Sequence, residues 1–189
     1  MTKREQLIQW LGDAHAMEVG MVSTLEKHLA DAKGLPKVRA ALTKHLGETK
    51  RHATATKKAL ASLGGSHPFM KEGISKMANL AAGLVTSAAA DTVVKNAIAD
   101  FAAEHFEIAC YNFLIFTATA LGEKEIAATC KAILKEEKAM AVALGSQIQA
   151  VNTSYLATLE EGEDESAAKP ATPRRSTKAK TPRKSAAKR

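Results

Sequence analysis

Phe101-Ala102-Ala103-Glu104-His105-Phe106-Glu107-Ile108-Ala109-Cys110-Tyr111 is the stretch on which the fold turns. Phe101, Ile108 and Tyr111 are seven and three residues apart, so they share one face of a helix. Glu104 lies three residues after Phe101 and four before Ile108, which puts a carboxylate on that apolar face. Glu107 lies on an adjoining part of it. A helix that aims acids inward needs partners that make the burial tolerable.

The helical spacing extends in both directions. The stripe Val94, Ile98, Phe101, Ile108, Tyr111 and Ile115 predicts a helix over about 90–120. Leu121-Gly122 reads as a tight turn. Ile126, Cys130, Ile133, Met140, Leu144 and Ile148 predict a second helix over about 123–150. Nearer the N-terminus, Thr2-Lys3-Arg4-Glu5 has capping-box spacing. Leu7, Leu11, Met21, Leu25 and Leu29 carry a helix from there to about residue 31. Gly34-Leu35-Pro36 combines a stop with a start. Val38, Leu42, Leu60 and Leu63 then predict a helix over about 37–63, ended by Gly64-Gly65-Ser66-His67-Pro68. Residues 69–89 read as a crossover carrying a short helix. Two helix pairs with short loops, joined by one long crossover, predict an all-α, ferritin-like four-helix bundle.

Composition agrees. Of 189 residues, 46% are hydrophobic and only 4% aromatic, Ala is abundant, and period-two Val/Ile runs are absent. That favours helix over sheet. The length accommodates one domain and a tail. No apolar run reaches eighteen residues, so no membrane span is expected. The first residues lead into an amphipathic pattern, not a signal-peptide core. Cys110 and Cys130 make no disulfide framework, and a reducing cytoplasm is the simplest expectation.

The bundle is expected over 1–159 and a disordered tail over 160–189. The net charge of +7 is uneven: 160–189 hold nine Lys/Arg against five Asp/Glu, and 1–159 hold 18 against 15. An acidic run, Glu160-Glu161-Gly162-Glu163-Asp164-Glu165, precedes a segment, 169–189, with no acid and no core-forming residue.

Each main helix carries an inward acid. Glu18 lies midway between Leu11 and Leu25. Glu48 and His52 continue the face of Leu42 and Leu60. Glu104 and Glu107 have been placed, and Glu137 lies between Ile133 and Met140. With a rise of about 1.5 Å per residue, these positions fall near the helix midpoints and at one height. Lys44, Lys50, Arg51 and Lys138 are expected to point outward and leave the acids unneutralised. Two divalent cations would neutralise them. Oxygen ligands with imidazole suit iron or manganese, with zinc as an adventitious occupant. Glu18, Glu48, His52, Glu104, Glu107 and Glu137 are therefore the candidate ligands. His15 and His45, each three residues before a core Glu, are read as supporting residues. Tyr111 and the methionines are read as packing.

His45-Leu46-Gly47-Glu48-Thr49, Glu104 to Tyr111, Ala120-Leu121-Gly122 and Leu134-Lys135-Glu136-Glu137-Lys138 together resemble the stress-associated YciE/YciF-type (DUF892) ferritin-like family, over about residues 4–150. The resemblance implies a ferritin-like bundle with a dinuclear metal centre and a homodimer. The chain departs from the wider di-iron pattern of Glu-x-x-His on two helices. Glu48 and His52 are four apart, with Arg51 at the usual His place, and Met140 follows Glu137 by three. Glu107 is expected to supply the missing ligand from the helix over about 90–120.

Thr172-Pro173-Arg174-Arg175 and Thr181-Pro182-Arg183-Lys184 resemble the basic units of linker-histone tails. Lys169, Arg174, Arg175, Lys178, Lys180, Arg183, Lys184, Lys188 and Arg189 are candidate phosphate contacts. They predict salt-dependent, sequence-independent DNA binding without base stacking. The expected function is a cytoplasmic, nucleoid-associated stress protein whose iron or manganese centre reacts with peroxide or oxygen. The alternative is an architectural DNA-binding dimer with a structural or vestigial metal site. No catalytic nucleophile is visible.

Overall fold

A computed structural model describes residues 1–65 and 91–167. They form α1 (Lys3–Asp31), α2 (Pro36–Ser62), α3 (Thr92–Ala120), α4 (Lys124–Gly145) and α5 (Ile148–Ala167). The four long helices make the expected ferritin-like bundle. The expected crossover helix at 69–89 and the basic segment 169–189 lie outside the described residues.

Local chemistry sets the helix ends. Thr2 accepts from the Glu5 amide at 3.1 Å while the Glu5 carboxylate accepts from the Thr2 amide at 2.7 Å, which completes the capping box. Gly122, with φ 76°, closes α3. The Glu123 amide reaches the Ala118 carbonyl at 2.9 Å and the Gly122 amide reaches Thr119 at 3.1 Å, the paired bonds of a Schellman turn.

The short turns make α1–α2 and α3–α4 antiparallel hairpins. Across the hairpins α1 packs on α3 and α2 packs on α4. The contacts His28–Asp100 and Glu18–Tyr111 run in opposite senses along α1 and α3, so that pair is antiparallel too. Around the bundle the order is therefore α1, α2, α4, α3, with α2 and α3 running the same way. Two successive helices of one direction require a long connection between them, and 66–90 supply its length.

The apolar core is in two parts. One contains Leu7, Leu11, Met17, Leu60, Leu114, Ile126 and Ile133. The other contains Met21, Leu25, Val38, Leu42, Met140, Leu144 and Val151. Each fully buried leucine contributes about 1.5–3 kcal/mol from burial. The layer between the two parts is polar.

Three expectations need correction. Ile98 is not a core residue but 54% exposed, because α3 turns its acids inward and that side of the helix outward. The last predicted helix does not run unbroken to 150. It stops at Gly145, and a new helix starts at Ile148, which redirects the chain and leaves Ile148 43% exposed. Helical backbone then continues to Ala167, so 160–167 belong to α5 and not to a disordered tail. Glu and Ala are good helix formers, and the acidic run simply prolongs the helix.

Leu25→Ala should cost about 2–5 kcal/mol in urea unfolding. Gly122→Ala should cost about 1 kcal/mol from its left-handed backbone alone, since an added Cβ meets nothing within 4 Å. An unchanged midpoint in either variant contradicts the packing or the turn.

Candidate metal centre

The polar layer takes one acid from α1, two histidines from α2, two acids from α3 and one from α4. Glu18, Glu104 and Glu137 are 0% exposed and Glu107 is 1% exposed, while His45 and His52 are 1% and 3%. Seven-residue spacing puts both histidines on the inner face of α2. Their ring centroids are 6.4 Å apart.

Each ring has an inward nitrogen. His45 Nε2 lies 3.1 Å from Glu104 Oε1 and 3.4 Å from Glu137 Oε2. His52 Nδ1 lies 2.8 Å from Glu137 Oε1 and 3.6 Å from Glu18 Oε2. These separations suit ion pairs, yet none is an aligned hydrogen bond: both inward nitrogens, Glu18 Oε2, Glu107 Oε1 and both oxygens of Glu104 and Glu137 are buried without a hydrogen-bond partner. So many unpaired buried ligand atoms are rare in a native core. They converge in two groups, His45/Glu104/Glu107/Glu137 and Glu18/His52/Glu137, within each of which the atoms lie within 4.8 Å of one another. Both groups can hold a metal ion, and Glu137 belongs to both. The donor set of carboxylate oxygen and imidazole fits a hard or borderline divalent cation.

Outer contacts orient the cluster. The buried Tyr111 hydroxyl donates to Glu18 Oε1, which leaves Oε2 for the interior. His15 Nδ1 pairs with Thr56 Oγ1 at 3.3 Å, and His15 is in neither convergent group. His45, expected to be supporting, lies inside the cluster itself. Glu48 faces His45 Nδ1 with Oε2 at 3.4 Å, and its Oε1 is held by Lys44. The Lys44 stem is exposed as expected, but its ammonium turns back along the helix to Glu48, so the acid is not left without a cation. Glu48 is in neither convergent group. Glu136, which was not among the candidate ligands, accepts from His52 Nε2 at 2.7 Å. The clue was its position beside Glu137, on the edge of α4 next to α2. The cavity lined by His28, Leu42, Asn96, Asp100 and Leu144 lies in the second apolar part and contains none of these carboxylates.

Electrostatics in the layer favour retained protons. Burial raises the Glu104 carboxyl to about 7, with Glu137 adding to the rise and His45 opposing it. Burial also raises Glu18, and it raises Glu107 well above the carboxylate range with help from Glu18, Glu137 and Glu104. For the histidines burial acts the other way, and the facing acids outweigh it. His45 is raised, and Glu137 and Glu18 lift His52 to about 10. Glu48 is lowered, because Lys44 and His45 outweigh its burial.

The family described as "Domain of unknown function (DUF892)" matches residues 2–157. A solved Xanthomonas campestris protein is 28% identical over 84% of this chain and 99% of its own, with a TM-score of 0.71. The Escherichia coli stress protein YciF is 25% identical over 81% and 98%, with a TM-score of 0.69. A Rhodopseudomonas palustris protein is 26% identical over 77% and 94%, at 0.61. The class defined by fold and cluster is a ferritin-like helical bundle with a buried Glu/His layer. Within that class, the chain belongs to the DUF892 family, the YciE/YciF type.

The raised groups give the metal-free protein a definite pH response. Folded His52 keeps a proton that the unfolded chain loses above 6.5, so its contribution is complete below 6.5 and is lost as pH rises through about 10. Glu104 acts in the same sense between 4.5 and about 7. Glu48, being lowered, acts only below 4.5. Calorimetry of metal-free protein should therefore give a Tm that falls from pH 5 to pH 10. A Tm that climbs over that interval contradicts the burial of these groups.

Proposed function

We propose that this protein is a ferritin-like dinuclear iron protein, with manganese as the alternative metal, that reacts with peroxide or oxygen and holds DNA through its basic C-terminal segment. The observation that carries the metal reading is the set of buried ligand atoms without hydrogen-bond partners, arranged as two groups that share Glu137. His45, Glu104 and Glu107 would hold one cation and Glu18 and His52 the other, with Glu137 available to both groups. Glu48, now paired with Lys44, would be a further ligand only after breaking that ion pair. Iron held there would supply reducing equivalents for peroxide or oxygen. The protein excludes bulk water with its two apolar core parts, fixes Glu18 through Tyr111, and releases the protons of the acids and imidazoles as cations enter.

Nine cations and no acids in 169–189 support DNA binding that is salt-dependent and indifferent to sequence. Placement on the nucleoid would bring iron chemistry under control next to DNA.

A second reading, an architectural DNA-binding homodimer with a structural metal site, draws on another observation. The outer face of α3 exposes Ile98, Phe106, Phe113 and Phe116, at 54, 43, 66 and 77%. Large apolar side chains exposed along one side of a helix suit a partner surface, and a second copy related by a two-fold axis presents the same side. Peroxide turnover by metal-loaded protein separates the two readings.

Elemental analysis of protein purified without added metal should find about two iron or manganese ions per chain. Glu137→Ala should lose both, because both groups share that residue. A parent that stays metal-free after anaerobic loading with iron(II) refutes the dinuclear centre. Truncation after Ala167 should abolish DNA retention at low salt while metal content is unchanged. Phe113→Glu with Phe116→Glu should yield monomers in sedimentation if α3 forms the dimer.

A further inference from the structure

His52 is gripped from both sides by two residues adjacent in sequence. Its Nε2 donates to Glu136 Oε2 at 2.7 Å, and its Nδ1 faces Glu137 Oε1 at 2.8 Å. Both acids come from α4, one on the rim of the bundle and one in its interior. The Glu136 side chain is 37% exposed, whereas Glu137 is 0% exposed. Arg51 braces Glu136 from the far side, with Nη2 at 3.5 Å from Oε2, and is itself tied to the Gly47 carbonyl at 3.0 Å.

This grip determines which nitrogen of the ring is available. An imidazole that gives one N–H to a carboxylate keeps its orientation and offers its other nitrogen to a cation. Rotating the ring by half a turn would put carbon edges against both Glu136 and Glu137 and lose both interactions. His45 has a different outer partner, Glu48, at 3.4 Å. The outer contact at His52 is thus specific to one of the two groups.

Resting on the dinuclear reading, we propose that Glu136 is a positioning residue: the outer carboxylate that locks the His52 ring so that Nδ1 is presented to the cation shared with Glu18 and Glu137. Its negative charge also makes Nδ1 a stronger donor. It acts on the group of Glu18, His52 and Glu137 and leaves the group of His45 unchanged.

The test is cobalt(II) titration of the full chain, read by absorption and calorimetry, for the parent, Glu136→Gln and Glu136→Leu. Folding of each variant is checked by circular dichroism. Nitrogen-15 NMR of the metal-free forms follows whether the His52 Nε2–H is protected from solvent exchange. Affinity for one of two cobalt ions should drop about 10–100-fold in Glu136→Leu. The drop should be smaller in Glu136→Gln, whose amide oxygen still accepts from Nε2. The second ion should bind as in the parent, and protection of Nε2–H should vanish in the Leu variant. If both variants bind two ions as tightly as the parent, or both ions weaken equally, the positioning role is overturned while the dinuclear centre stands. If the parent itself binds no cobalt, the dinuclear reading fails, and the Glu136 contact is a structural bond only.

Discussion

Four carboxyl groups and two imidazoles share one layer of a core that is otherwise aliphatic. Without compensation, packing that many acids out of water costs several kcal/mol for each charge. Protons compensate in the metal-free protein, shared between raised acids and raised histidines. Divalent cations would compensate more completely, because each supplies two charges at a point. The apolar parts on either side maintain the low dielectric that gives the layer its force, and so the packing of leucines and methionines governs the chemistry between them.

That layer also explains the odd character of α3. Asn96, Asp100, Glu104, Glu107 and Tyr111 occupy its buried face, while Ile98, Phe106, Phe113 and Phe116 occupy the outer one. The usual amphipathic order is inverted over much of the helix. A helix that spends its inward face on polar groups has its apolar side chains left for other surfaces.

The bundle was legible because three- and four-residue spacing survives along all four long helices and because Thr2, Gly34, Pro36 and Gly122 punctuate them. The inward acids were legible because each lies in register with leucine or isoleucine neighbours. What spacing does not convey is angular detail. Glu48 shares a face with His52, yet a lysine one turn away draws its carboxylate outward, and His45 rotates into the place expected for it. Ile98 fitted the apolar stripe only while α3 was assumed to follow the ordinary pattern. Glu136 was invisible, because a surface glutamate becomes informative only once its partner across the helix pair is known. The break at Gly145–Gln147 was missed because Ile148 continues the spacing of α4 into the next helix.

The two hairpins divide the cluster unequally. α1 and α2 bring both histidines and a single inward acid, Glu18, whereas α3 and α4 bring Glu104, Glu107 and Glu137. Each hairpin is closed by a short turn and can form through contacts local in sequence, the fast kind. Neither half alone possesses either complete ligand group. The cluster therefore comes into being only when the hairpins dock, a mostly basic half against a wholly acidic one. Their attraction assists that late step, and a cation that needs a complete group could be held only after it.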